Sequence, residues 1–288
     1  MITTNVKKLR DPFVLVEDDA YYMYGSEWKC YKNTSGSLDG EWVLLDKQVV
    51  IPPQDFDGCD WAPEVHKYKG KYYMFTTYKS KKTGLRGCST FISNSPEGPF
   101  IEHSNGFFTP LNQSSIDATL HIDEYGQPWT VYVHEWCSLE DKIGRMDLAK
   151  MSEDLSCIVS TPKELFRADS PNFTVKNITD GCYLYKTKAG KLLMIWSNYL
   201  SLYDYAVLLC ESDNGKIDGN WIQSDKPLFC KEINGGTFDG GHAMIFTDRD
   251  GTKYMSMHSP NYTVGDRRET PIFVKIEDLG DGIKLIFD

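Results

Sequence analysis

Short apolar runs alternate along this chain with turn-forming residues, and the alternation itself repeats. The segments FVLVEDDAYYMYGSEW, VHKYKGKYYMFTTY, LHIDEYGQPWTVYVHEW, YLYKTKAGKLLMIWSNY and MIFTDRDGTKYMSMHS share one plan. In each, a short apolar strand runs into a turn rich in Asp, Gly and Lys. A second strand of alternating aromatic and aliphatic residues follows, the mark of a β-hairpin. The five hairpins recur roughly every 50 to 60 residues, a spacing expected of propellers or repeat arrays. A weaker echo in LDGEWVLL, PEGPFIEH and IDGNWIQS predicts outer hairpins in several repeats. No helix-period run, linker or low-complexity segment interrupts them. The pattern predicts an all-β fold: a five-bladed β-propeller with four-stranded antiparallel blades around a central channel, as a single domain over residues 1–288. A β-sandwich of meandering hairpins would show the same alternation but does not account for five matching units.

Composition narrows the partner. Aromatic residues make up 13% of the chain, with 17 Tyr and 7 Trp, an abundance that suits strands and sugar-binding clefts. The formal net charge of −10 argues against nucleic acid or an anionic membrane, because phosphate binding needs clustered Lys and Arg. A neutral ligand is easier to accommodate. The opening MITTNVKKLRDP has basic residues but no apolar stretch after them, so no signal peptide is expected. No run approaches the length of a membrane span. The eight cysteines are scattered without a C-x-x-C pair, which predicts reduced thiols and a cytoplasmic location. Nothing in the pattern speaks to oligomeric state.

A marked residue stands at or just before the first strand of each repeat: Asp11 in RDPF, Glu64 in WAPEV, Asp117 in SIDA, Asp180 in TDGC and His242 in GGHAM. First strands line the channel of a propeller, so these residues are expected to ring one of its mouths. Like charges held together there would be costly for stability alone. With blades at about 72° intervals, Asp11 faces Asp180 across the channel, and Asp117 is a neighbour of Asp180. An opposed pair leaves room for a sugar and a water, and an adjacent pair raises the pKa of one member. Folding each hairpin about its turn predicts a second ring of Glu27, Thr77, His134 or Glu135, Ser197 or Asn198, and His258. Only one of His134 and Glu135 can point to the channel.

The order RDPF, WAPEV, SIDA, an acidic-Gly motif and GGHAM on a five-bladed propeller resembles glycoside hydrolase family 43 over essentially the whole chain. That resemblance implies inverting, exo-acting hydrolysis of α-L-arabinofuranosides or β-D-xylosides in oligosaccharides. It also implies Asp11 as general base, Asp117 as pKa modulator and Asp180 as general acid. One motif departs from the family, whose acid sequence is commonly Glu-Gly-Pro where this chain has Asp180-Gly181-Cys182. The shorter side chain leaves Glu135 or Glu27 as a rival donor. Two other readings compete: a retaining propeller acting on fructosides, and a sugar-binding propeller that has lost catalysis.

Each residue also has a plainer role open to it. Asp11 and Asp180 could be turn residues, Asp117 a hydrogen-bonded strand start and Glu64 a loop brace. Trp28, Trp61 and Trp136 lie near the acidic positions and are candidates for a sugar-stacking floor, with Glu27, Glu64, His134, His242 and His258 as further substrate contacts. Tyr22, Tyr24, Tyr73, Phe75, Trp129, Tyr132 and Trp196 read as packing between blades. No organic cofactor is expected. The resemblance leaves room for a structural calcium beside His242, although no second His or Cys stands at metal-ligand spacing.

Overall fold

The computed structural model describes residues 1–233 and 236–287. After a short edge strand, β1 (Ile2–Thr3), the first blade contains β2 (Phe13–Val16), β3 (Tyr21–Gly25), β4 (Lys29–Asn33) and β5 (Val43–Leu44). The second contains β6 (Trp61–Tyr68), β7 (Lys71–Lys79), β8 (Arg86–Ser93) and β9 (Ile101–Glu102). The third contains β10 (Ser115–Ile122), β11 (Pro128–His134), β12 (Arg145–Lys150) and β13 (Lys163–Arg167). The fourth contains β14 (Asp180–Lys186), β15 (Leu192–Ser201), β16 (Asp204–Ser212) and β17 (Trp221–Gln223). The fifth has β18 (Gly241–Thr247), β19 (Lys253–Ser259), β20 (Thr270–Asp278) and β21 (Ile283–Ile286). Every blade is an antiparallel meander in chain order, so the fold is the expected five-bladed propeller.

The ring closes in the fifth blade. There β1 pairs with the start of β20, Ile2 against Phe273, and β21 pairs with its end, Ile286 against Lys275. Two short segments from opposite ends of the chain thus share one edge, which ties the last blade to the first.

Alternation along the strands fills the spaces between blades. Tyr22, Tyr24, Tyr73, Phe75, Trp129, Tyr132 and Trp196 are all buried, as their second-strand positions predict. Trp196 is fully buried against Phe166, with ring centroids 5.1 Å apart, and its indole N–H reaches the Gln223 side chain at 3.1 Å. All eight cysteines are unpaired, and Cys88 and Cys182 are small buried core residues. Among the described residues no helix is long and apolar enough to cross a membrane.

Candidate active site

The first strand of every blade carries a bulge at the same mouth of the channel. In β6, Ala62 and Pro63 stand between the pairs Trp61–Thr77 and Glu64–Phe75, so two residues oppose one. The same shift separates Ile116 from Thr119, Asp180 from Tyr183 and Gly241 from Met244. In the first blade the Ser26 N–H bonds to the Arg10 carbonyl, which leaves Asp11 and Pro12 opposite Gly25. A bulge re-aims side chains and ends regular pairing, which suits the rim of a site. Its first residue is left-handed in all five blades, with φ of 56° at Asp11, 44° at Ala62, 55° at Asp117, 48° at Gly181 and 52° at His242. Such a conformation strains a non-glycine residue by about 1–3 kcal/mol, so the surroundings must hold it.

They hold it by one repeated hydrogen bond. In four of the five blades the amide of the bulge residue donates to a side chain at the end of the preceding blade's second strand. Ala62 donates to Ser26 Oγ at 3.1 Å, Asp117 to Thr77 Oγ1 at 3.0 Å and His242 to Ser197 Oγ at 2.8 Å. Asp11 donates to His258 Nδ1 at 3.2 Å and so closes the ring. By register the third blade offers Val133, which has no acceptor. The Gly181 amide instead donates to Asp117 Oδ2 at 3.0 Å. A missing hydroxyl therefore turns the Asp117 carboxylate toward the blade that carries Asp180. Position 181 must be glycine, since a Cβ there would lie 2.7 Å from His242 Cγ.

These contacts correct the two predicted rings. The bulge ring is Asp11, Ala62, Asp117, Gly181 and His242. Asp180 stands one residue earlier, level with Arg10, Trp61 and Ile116. Glu64 lies two residues past the bulge, off the cavity, with its Oε2 3.0 Å from His66 Nε2. In the second ring Thr77, Ser197 and His258 are placed as expected, whereas Ser26 and Val133 replace Glu27 and the His134/Glu135 pair.

Asp11, Asp117, Asp180 and His242 line one cavity of ≈ 300 Å³, with Trp61, Glu27 and Tyr205 in its wall. Trp61 is the predicted tryptophan that faces it. The Arg86 guanidinium sits 5.6 Å from the Trp61 ring centroid and grips both oxygens of Glu135 at 2.6 and 3.0 Å. Glu135 is thus part of the support behind that wall and does not line the cavity. Trp28 belongs to the core, its ring 4.8 Å from Phe56 and its N–H on Thr76. Trp136 lies in an exposed 3₁₀ turn, Trp136–Ser138, outside the cavity, and His134 turns to Asp147 at 3.5 Å. Glu27 pairs with Lys29 at the opening. His258 is fully buried beneath Asp11, where it positions the backbone without reaching the cavity.

The carboxyls stand in opposed electrostatic settings. Burial pushes Asp11 up, but the positive charge of His242 and Arg10 and the hydrogen bond from Ser26 outweigh it and hold Asp11 below the usual carboxylate range. Burial drives Asp117 up to about 6, with the Asp11 charge adding to it against His242 and the Gly181 amide. Asp180 is pushed up to about 7, first by burial and then by Asp117, against His242 and the Tyr205 hydroxyl. His242 Nδ1 lies 3.2 Å from Asp11 and 3.9 Å from Asp117. Burial lowers this imidazole's pKa, but the carboxylates around it outweigh that and raise it. His258 is the opposite case: burial, helped by the Arg10 charge, takes it down to about 3, which matches a neutral ring accepting at Nδ1 and donating from Nε2 to Asn261.

A calcium ion takes six to eight oxygen ligands. Among the described residues no group of three or more His, Cys, Asp or Glu is arranged to hold a metal. His242 Nδ1 already faces two carboxylates, so the donor set fits a protein-held calcium poorly and no step below is routed through one.

Residues that the sequence reading passed over also shape the site. Arg10 precedes Asp11 and is locked by Asn261, through its carbonyl at 2.5 Å and its side chain at 2.8 Å. Tyr205 reaches Asp180 from a third strand, which no spacing rule signals.

Comparison with known proteins agrees with this geometry. The family described as glycosyl hydrolases family 43 matches residues 4–274. The solved endo-arabinase of Bacteroides thetaiotaomicron VPI-5482 superimposes with a TM-score of 0.82 at 29% identity, covering 100% of this chain and 97% of that one. An extracellular endo-α-(1→5)-L-arabinanase of Bacillus subtilis is 24% identical over 59% of this chain and 56% of its own length. An extracellular exo-α-(1→5)-L-arabinofuranosidase of Cellvibrio japonicus is 22% identical over 51% of this chain and 45% of its own. The chain thus spans about half the length of these two curated relatives. Both are named extracellular, which overturns the cytoplasmic location expected from the N-terminus. A match that takes in all five blades, on a fold and mouth of this kind, places the chain in glycosyl hydrolases family 43.

Proposed function

We propose that the protein is a secreted, inverting glycoside hydrolase that releases arabinofuranosyl units from arabino-oligosaccharides. The observation that carries this reading is a single cavity holding one Asp whose setting favours the ionised form and another whose burial beside Asp117 pushes it up to about 7. Asp11 takes a proton from a water that attacks the anomeric carbon. Asp180 gives its proton to the departing glycosidic oxygen, and attack from the opposite face inverts the centre. Asp117 keeps the acid protonated by its charge, while Trp61 offers an apolar face to the sugar ring. The cavity volume is at the lower end for ligand sites, which supports cleavage from a chain end. The endo-acting names among the similar proteins favour a second reading, internal cleavage of the same linkage.

Proton NMR of the first-formed sugar, with product sizing on linear arabino-oligosaccharides, tests both points. An inverted anomer and monosaccharide product are expected. Retained configuration would remove the base-and-acid scheme, mixed oligomers would select internal cleavage, and turnover of xylosides alone would replace the sugar.

The Asp117→Asn variant isolates the modulator. Asn can still accept from the Gly181 amide, but the charge beside Asp180 is gone. The alkaline limb of kcat/KM is expected to move down by about one pH unit, read from a pH–rate profile on an aryl arabinofuranoside.

A further inference from the structure

We propose that Tyr205 is a positioning residue for the acid, fixing one oxygen of the short Asp180 carboxyl so that the other presents the proton to the leaving group. This rests on Asp180 being the acid, as proposed above. The Tyr205 hydroxyl donates to Asp180 Oδ2 at 3.1 Å from within the cavity wall. Its ring is clamped, with the Tyr199 centroid 4.9 Å away, the His258 ring stacked at 5.9 Å, and the backbone N–H bonded to Asp239 at 3.1 Å.

A second feature of the fold admits this ring. A Cβ at Gly241 would lie 2.4 Å from Tyr205 Cε1, so the glycine just before His242 leaves the space through which the tyrosine reaches Asp180. The phenol stays a donor, because burial and the nearby Asp180 and Asp11 charges keep its pKa well above the ordinary value. An Asp has one rotatable bond fewer than the family's Glu and a shorter reach, so its proton must be aimed by what holds the carboxyl. A misplacement of about 1 Å can cost about 10²-fold in rate.

The groups acting on Asp180 are Asp117 from β10, His242 from β18, Glu135 beyond β11, Tyr205 in β16, Tyr199 in β15 and Arg10 ahead of β2. Of these, Tyr205 is the one whose side chain hydrogen-bonds it. A donor to the ionised carboxylate lowers its pKa, so losing that donor raises it.

The test compares Tyr205→Phe and Gly241→Ala with wild type, on arabino-oligosaccharides and on an aryl arabinofuranoside with a strongly acidic leaving group. Phe keeps the clamped ring without the hydroxyl, and Ala crowds the ring while also pressing on Ser197 Oγ, 3.0 Å from such a Cβ. Melting curves check that each folds; Tyr205→Phe, which leaves the bulge contacts untouched, decides the role, and Gly241→Ala is expected to follow it in the same direction. Expected is a loss of about 10- to 100-fold on the oligosaccharides, less than about threefold on the aryl glycoside, and for Tyr205→Phe an alkaline limb moved to higher pH. Equal losses on both substrates with an unmoved limb, or no loss on either, would overturn the positioning role. Asp180→Asn, run alongside, separates the two claims. If it keeps wild-type activity, the acid assignment falls first; if it is inactive on oligosaccharides while Tyr205→Phe matches wild type, only the role of Tyr205 falls.

Discussion

Asp11→Asn is expected to reduce kcat/KM by about 10³-fold or more on every substrate, whatever its leaving group. General base catalysis contributes about 10² to 10⁴-fold, and water attack is needed however easily the bond to the aglycone breaks. The substitution is nearly isosteric. Its backbone amide still meets His258 and its side chain still meets the Ser26 hydroxyl, so the bulge is preserved while the charge that accepts the proton is lost. His242 would also lose the nearest of the carboxylates that favour its protonated form. Steady-state rates over the whole pH range check this: the acidic limb due to Asp11 ionisation should vanish along with the activity. A variant within tenfold of wild type would mean that another group activates the water.

Asp180→Asn carries the second large effect, and its signature differs. Loss of the acid should be severe, about 10³-fold, on oligosaccharides whose leaving group needs a proton, and far smaller on activated aryl glycosides. Azide should recover part of the rate on the aryl substrate. The matching Glu135→Gln variant should show no such rescue, because Glu135 is spent on Arg86 behind the Trp61 wall. If azide rescued Glu135→Gln and left Asp180→Asn unchanged, the two assignments would have to be exchanged.

The same Asp180→Asn substitution has a predicted stability effect. Asp180 titrates near 7 in the folded chain and near 4 when unfolded, so between those values the folded state binds more protons. Stability therefore falls as pH rises through that window. An Asn, which still accepts from Tyr205, removes the penalty. The variant should be more stable than wild type at pH 8, by on the order of 1–3 kcal/mol, with little difference near pH 4. Urea titrations at the two pH values measure it. This is the usual conflict at a catalytic site, where a group is kept in a state that its burial disfavours.

The blades were legible in the chain because the evidence for them is local. Alternation with period two, turn residues at the hairpin tips and the recurrence of both need no knowledge of neighbours. The seven aromatic residues assigned to packing between blades are all buried for that reason. Asp11, Asp117 and His242 were found because each starts a first strand, and every first strand enters at the same mouth. Trp28 and Trp136 show the limit of nearness in sequence. Both flank acidic positions, yet one is packed on Phe56 and the other lies on an outer turn.

What the chain alone decided was the number of repeats, their strand-turn-strand form and the blades that carry acidic groups. What tertiary structure decided was register. Each first strand takes up an extra residue at its bulge, and since side chains change face at every step, one residue of slip exchanges channel for core. That slip put Gly181 in the inner ring in place of Asp180 and Val133, paired with Ile116, in the second ring in place of His134, while Ala62 holds the inner-ring place expected of Glu64, which lies two residues further on. Inserting a bulge depends on hydrogen bonds between strands of different blades, such as Thr77 to Asp117 and His258 to Asp11, and those partners are distant along the chain. The pKa ordering that separates base from acid likewise comes from charges on four blades meeting in one buried cavity, a sum that no single segment contains.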